Sequence, residues 1–310
     1  MSTYNWLARH VLAPSLDLMR GTNTMQSLAE LEASQWWSPQ RIEALQSERL
    51  HKLIEHAYSN VPYYRRVMLE RGLTPTDITC AADLSKLPIL TKDIIRANLQ
   101  DMSSEGPAQS QLVPACTSGS TGNPLRFYGS SDEQRTHGLA RTIRARGWAG
   151  VQLGDCSMHI HMNTPQPSRG DESVAWVREG LKRVVDVDSS SISEHTLPAL
   201  IERMKRMEPF YLGSYPTVGN FIASFIKNSG LSAPHPFTII TGGEQLFDHQ
   251  RELIATVFGT DPYSKYSSFE NWEMASECPS HTGMHVNAED IVLQLVDERG
   301  APTPPGERGN

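Results

Sequence analysis

Phe237 to Thr241 form a run of apolar and β-branched residues that ends at Gly242-Gly243. With no polar alternate, such a run suits a strand buried on both faces, as in a parallel sheet. Helical periodicity flanks it, at Val218 to Lys227 before and Gln250 to Phe258 after. Parallel strands need such crossover helices. The alternation extends upstream. Cys156 to His161 and Arg183 to Val187 read as strands around a helix at Ser173 to Leu181. Leu197 to Met207 reads as helix and Tyr211 to Ser214 as strand. Ile291 to Val296 reads as a last strand. The expected fold is α/β, with mostly parallel sheets flanked by helices.

The N-terminal part differs. Residues 1–38 carry weak patterning and are expected to form a helical extension. From 39 onward one large domain is expected to reach residue 310. It opens with an amphipathic helix over 40–58, stopped by Asn60-Val61-Pro62. Tyr63 to Arg71 reads as a second helix, and Thr91 can cap a third beginning at Lys92. Glu298-Arg299-Gly300 resembles a hairpin turn, but no returning strand is legible in the Pro/Gly-rich residues 301–310. Either this end is a tail or, the reading preferred here, the polypeptide is cut short of its natural fold.

Charge and composition exclude several classes. Lys and Arg number 28 against 35 Asp and Glu, a net charge of −7, so no global basic field draws nucleic acid. A local cluster, Arg135 to Arg146, reads as a solvated helix face or the neighbour of an anion site. No run approaches the ~20 apolar residues of a membrane span. The N-terminus lacks the order of a secretory signal. The four cysteines lie far apart in sequence, which argues against a disulfide framework and for a cytoplasmic setting.

Thr117-Ser118-Gly119-Ser120-Thr121-Gly122-Asn123-Pro124 carries the most chemistry. Its glycines let backbone approach a ligand, successive N–H groups can form an anion nest, and its hydroxyls add donors. The stretch lacks the Gly-Lys-Ser/Thr of a Walker loop. Two further segments stand out. Thr241-Gly242-Gly243-Glu244 ends the apolar strand, either as a tight turn or where a flat ring can lie on backbone. Tyr266-Ser267-Ser268-Phe269-Glu270 pairs an aromatic ring with a hard oxygen donor; alone, it also suits plain structure.

TSGSTGNP resembles the nucleotide-phosphate loop of the adenylate-forming enzymes. HAYSNVPYYRRVMLERGL (56–73), DLSKLPILTKDIIRAN (83–98) and ECPSHTGMHVNAEDIVLQLVD (277–297) are similar to the phenylacetate-CoA ligase branch and its CapK-like relatives near capsule polysaccharide genes. The resemblance implies ATP- and Mg²⁺-dependent activation of a carboxylic acid to an acyl-adenylate, then transfer to CoA or another thiol. Thr117, Ser118, Gly119, Ser120, Thr121 and Gly122 would hold phosphates. Thr121 and Glu270 would be catalytic, with Glu270 on Mg²⁺. Tyr215, Gly242, Gly243, Glu244, Tyr266 and Ser267 would border the adenine and acyl pockets. Tyr215 and Phe237 would suit an aryl acid. Ser267 stands where the family has glycine, and Phe269 where it has threonine. The family's ribose-gripping segment, hinge and lysine-bearing small domain do not appear before Asn310, so inefficient thioester formation is expected.

Two alternatives stay open. One is a non-catalytic nucleotide- or partner-binding relic in polysaccharide assembly; the other is a transferase or kinase that uses the loop differently. Cys278, His281 and His285 form C-x2-H-x3-H, compatible with structural Zn²⁺ or with a polar loop near the site. Cys156, His159 and His161 read as core strand.

Overall fold

The computed structural model describes residues 2–106, 112–116, 124–130, 133–162, 183–268, 270–297, 300–304 and 306–307. The expected helix at Ser173 to Leu181 lies outside the described residues. The chain clusters into two compact units: residues 1–25, 140–268 and 272–285 form one, and residues 26–139, 269–271 and 286–310 the other.

The second unit is built on the helix Pro39–Asn60. Pro39 occupies its first turn, where a missing N–H costs nothing, and the Ser38 hydroxyl accepts from the Arg41 amide at 3.4 Å. Leu50 and Ile54, one turn apart, bury against Met68 and Ile78. Thr91 caps Lys92–Ala97 as the sequence suggests, accepting from the Ile94 amide. Two antiparallel strands follow, β1 (Leu112–Cys116) and β2 (Arg126–Ser130).

The end of the chain departs from expectation twice. Ile291 to Val296 is not a strand. The Gln46 side chain takes the Ile291 carbonyl, and the turn after Val296 returns in a single bridge, Val296 to Pro302. The Thr303 amide donates to the Leu295 carbonyl at 2.9 Å. Pro302 and Pro304 lack donors, so the ladder stops there.

The first unit holds the main sheet. It comprises β3 (Ser157–His161), β4 (Val184–Asp188), β5 (Tyr211–Ser214), β6 (Thr238–Thr241), β7 (Tyr263–Ser268), β8 (Trp272–Glu277) and β9 (Met284–Val286), in the spatial order β4-β3-β5-β6-β7-β8-β9. From β4 to β7 the pairs are parallel; β7 and β8 are antiparallel. Side chains alternate across the sheet. Met158, Ile160, Leu212 and Ile239 point to one face and join Ile201, Met204, Ile222, Ile226 and Ile254 from helices Leu197–Met207, Pro216–Ser229 and Asp248–Phe258. Tyr211, Ile240 and Tyr263 pack on the other with Ala149 and Val151.

The Arg cluster is less solvated than its sequence suggests: Arg141 and Arg144 are buried. Near the N-terminus, Asn5 is buried and donates to Asp155 at 2.6 Å. No described helix is long and apolar enough to cross a membrane.

Candidate active site

The C-terminal ends of parallel strands form the rim where open α/β sheets bind ligands. Here Tyr215 follows β5, Gly242-Gly243 follows β6, and Tyr266 lies in β7 just past the part paired with β6. The Gly242 amide donates to the Ser214 carbonyl at 3.2 Å, joining the first two rims. Tyr215 turns the chain into Pro216–Ser229, whose first residue is proline. Its ring lies on Gly243: a Cβ added there would be 2.7 Å from Tyr215 Cε1, and Gly243 has φ +81°. Both facts demand glycine. The Tyr215 hydroxyl accepts from the Met162 amide at 3.4 Å, which ties β5 to the end of β3.

Glu244 has a definite task. Its carboxylate accepts from the Thr217 amide at 3.2 Å and from the Thr217 hydroxyl. It therefore supplies acceptors to the otherwise unpaired N-terminus of Pro216–Ser229. The Lys265 stem roofs Gly242, where an added Cβ would lie 2.6 Å from Lys265 Cγ. Its ammonium reaches buried Glu273 at 3.5 Å.

Tyr266 follows, 54% exposed, so its ring is free to stack on a ligand. A register shift separates Tyr266 from Ser267. Ser267 is not among the non-glycine residues with positive φ, so a side chain is accommodated where the family has glycine. Phe237 precedes β6 at the opposite end of the sheet from Tyr215, so the two do not share one pocket.

Glu270 belongs to the second unit and lies in the turn after β7. Among the described residues nothing hydrogen-bonds or ion-pairs with its carboxylate. Residues 117–123, including Thr117, Ser118, Gly119, Ser120, Thr121 and Gly122, lie outside the described residues, as does Phe269.

The structure does not gather the three zinc candidates. Among the described residues no group of three His, Cys, Asp or Glu side chains is placed to hold a metal ion. His281 turns instead into an ionic cluster. Its Nδ1 lies 3.0 Å from Glu277 Oε2 and 3.1 Å from Arg251 Nη1, and its ring packs at a tilt of 41° against Tyr263. Arg251 donates to Glu277 at 2.7 Å and to Asp261 at 3.0 Å. Burial opposes the Glu277 charge, but Arg251, the Ser264 amide and His281 outweigh it and hold the carboxyl below its usual range. Cys278 keeps Ser280 and His285 as partners, and their hydrogen bonds bring its thiol down to about 7.

One polar column escapes the reading of Cys156 to His161 as core strand. His159 and His161 lie on the face opposite Met158 and Ile160. His159 Nε2 is 2.7 Å from the Tyr211 hydroxyl, and His161 is 3.5 Å from Asp186. Burial, reinforced by Arg146, pushes His159 down to about 3, so its ring is neutral. The signal was present as alternation of His with Met and Ile, which is unlike the apolar run of β6.

Comparison with known proteins relates the chain to a class. No protein-family model matches the chain. A crystal structure of 2-hydroxyisobutyryl-CoA ligase in complex with 2-HIB-AMP and CoA superposes with a TM-score of 0.70 at 19% identity, covering 88% of this chain and 59% of that one. The fold is thus that of an adenylate-forming CoA ligase. Sequence carries the relationship further. The chain is 36% identical over 117 residues to phenylacetate-coenzyme A ligase of Pseudomonas putida, covering 37% of this chain and 26% of that protein. It is 23% identical over 279 residues to the Thermus thermophilus phenylacetate-coenzyme A ligase, covering 87% and 60%. These matches relate the chain to the adenylate-forming acyl-CoA ligases. They span about a quarter of the first relative's length and 60% of the second's.

Proposed function

We propose that this chain forms the acid- and nucleotide-binding part of an AMP-forming acid–thiol ligase. The observation that carries this reading is the rim itself: Tyr215 laid on Gly243 and Gly242 bonded to β5 at the ends of two parallel strands, with an exposed Tyr266 in the neighbouring β7. The sequence similarity to phenylacetate-coenzyme A ligases supports it.

In this reading a carboxylate oxygen attacks the α-phosphorus of ATP and pyrophosphate leaves. A thiol then attacks the acyl carbon and AMP leaves. No protein nucleophile is needed. Tyr266 would stack on adenine. Gly242 and Gly243 would let the ligand lie on bare backbone. Glu244 would act indirectly, by fixing the helix that follows Tyr215. Thr117 to Gly122 would cradle the phosphates, with Thr121 donating to them.

Glu270 fits Mg²⁺, which takes one or two carboxylates plus substrate phosphates rather than an all-protein cage. Its carboxylate has no competing partner among the described residues. Bound Mg²⁺ would supply charge neutralisation on the phosphates. The use of ATP and CoA supports a cytoplasmic setting in this reading, and the resemblance to CapK-like proteins supports a role beside capsule polysaccharide assembly.

Acid-dependent ATP–pyrophosphate exchange tests the reading. We expect exchange with at least one acid, weakened about tenfold or more by Tyr266→Ala, the loss of one stacked ring on a base. Release of ADP or a transferred phosphate would instead support the kinase alternative.

A further inference from the structure

We propose that the outward face of the N-terminal helix, Thr3 to Arg20, docks the protein on an anionic lipid bilayer. The helix packs beside the turn that precedes β3, at the opposite end of the sheet from the rim. The proposal therefore does not rest on the adenylating reading.

The segment is helical over Thr3–Leu7 and Ala13–Arg20, joined by a wider π turn over Ala8–Leu12. One face is taken by the fold. Asn5 is buried and donates to Asp155 at 2.6 Å, and the Arg183 guanidinium lies 5.5 Å from the centre of the Tyr4 ring. A Cβ added to Gly154 would lie 2.9 Å from Ala8 Cβ, so this face rests directly on the turn before β3. The opposite face is apolar and open. Leu7, Val11 and Leu18, spaced four and seven residues apart, share it. All three are exposed, Leu18 by 86%, and its neighbour Met19 is 81% exposed. Trp6, half exposed, lines the edge with its ring 5.2 Å from His10. Single apolar residues are ordinary on a surface, but a contiguous stripe marks a contact site.

Charge and shape name the occupant. The chain carries a net charge of −7, yet from Thr3 to Arg20 its full charges are Arg9, Asp17 and Arg20. Asp17 is turned aside: its carboxylate accepts from the Thr22 hydroxyl at 2.6 Å and from the Met25 amide at 2.7 Å. Arg20 is exposed at the end of the stripe. An anionic surface therefore attracts this helix while the acidic remainder of the chain is repelled, which orients the contact. The helix is a convex ridge about 25 Å long. A protein partner would need a groove to match it. A bilayer takes such a ridge along its whole length, with leucines in the acyl boundary, tryptophan at the headgroups and arginine in water. The helix is not long and apolar enough to cross, so it would lie in the plane of the surface.

The test is flotation of the full chain with vesicles of phosphatidylcholine alone, or of phosphatidylcholine and phosphatidylglycerol in equal parts. We expect binding to the mixed vesicles that weakens as salt rises. The double variant Leu18→Ser, Met19→Ser should weaken it about tenfold or more, and Arg20→Gln about fivefold. Leu53→Ser, at an exposed leucine of the second unit, should leave it unchanged. These side chains are exposed, so circular dichroism should show each variant folded. Brominated lipid should quench part of the tryptophan fluorescence, and Trp6→Phe should remove that quenching. No binding to the mixed vesicles, equal binding to both kinds, or binding that the Leu18 and Met19 pair leaves unchanged overturns the proposal. So does a dimer, seen by light scattering, that the same pair disperses, because the face then belongs to a second copy.

Discussion

Replacing Gly243 by alanine separates two physical costs at the rim. The first is backbone strain: Gly243 holds φ +81°, where an L side chain costs about 1–2 kcal/mol. The second is steric. The new Cβ would stand 2.7 Å from Tyr215 Cε1 and 3.0 Å from Cδ1. Ordinary contact begins near 3.4 Å, so the ring must retreat by about 0.7 Å. Tyr215 is held by its hydroxyl bond to Met162 and by its place at a helix start, so displacement should add about 1 kcal/mol, the low end for overpacking. Gly243→Ala should therefore cost about 2–3 kcal/mol in all. A double-mutant cycle isolates the parts. In a Tyr215→Ala background the clash is gone and only the strain remains, so the same substitution should cost about 1–2 kcal/mol. Urea unfolding followed by fluorescence and circular dichroism gives each value. A cost below about 0.5 kcal/mol, the scale of a neutral surface change, would falsify the strain argument. Equal costs in both backgrounds would remove the Tyr215 contact from it.

Three further perturbations probe the frame around the rim. Glu277→Ala leaves Arg251 with Asp261 as its ion-pair partner and takes the acceptor from the buried Ser264 amide, and should cost about 1–3 kcal/mol by thermal or urea unfolding. Because the folded-state pKa of Glu277 is depressed, its contribution is present above the ordinary carboxylate pKa and is lost as pH falls through the folded value; Glu277→Gln should flatten that acid limb of the stability profile. Glu244→Ala removes the acceptors for Thr217 and should destabilise Pro216–Ser229 by about 1 kcal/mol, the scale of a lost helix cap, seen as faster amide exchange in its first turn. Cys278, with its thiol at about 7, should alkylate with iodoacetamide along a pH curve with its midpoint there, and His285→Ala should move that midpoint upward.

Legibility in the sequence followed burial. Strands enclosed on both faces announce themselves, because no polar alternate interrupts them: β5 and β6 fall within a residue of where apolar patterning puts them. Crossover helices read equally well, since their apolar stripe faces one core. The β7–β8 pair was harder to read. Its residues mix Tyr, Ser, Lys and Glu, because polar side chains there serve ion pairs such as Lys265–Glu273 instead of a dry core. The last segment misled for the opposite reason. Ile291 to Val296 has a strand's composition, but its partner contains Pro302 and Pro304, and composition cannot supply the missing amides.

The site shows the same division between what one residue needs and what its neighbours decide. Gly243 is legible alone, since a glycine pair at a strand end implies close approach or positive φ. Cys278, His281 and His285 illustrate the limit. Their spacing permits a metal, yet Arg251, distant in sequence, captures Glu277 and His281 and leaves Cys278 with His285. Glu277 takes Arg251 on one oxygen and His281 on the other, so His281 is engaged there instead of joining Cys278 and His285. His159 is the converse case. Nothing about one histidine in a strand predicts its partner, but Tyr211, distant in sequence, sets its hydroxyl 2.7 Å from Nε2. Chemistry at this sheet is set less by which titratable residues occur than by which neighbour each one meets.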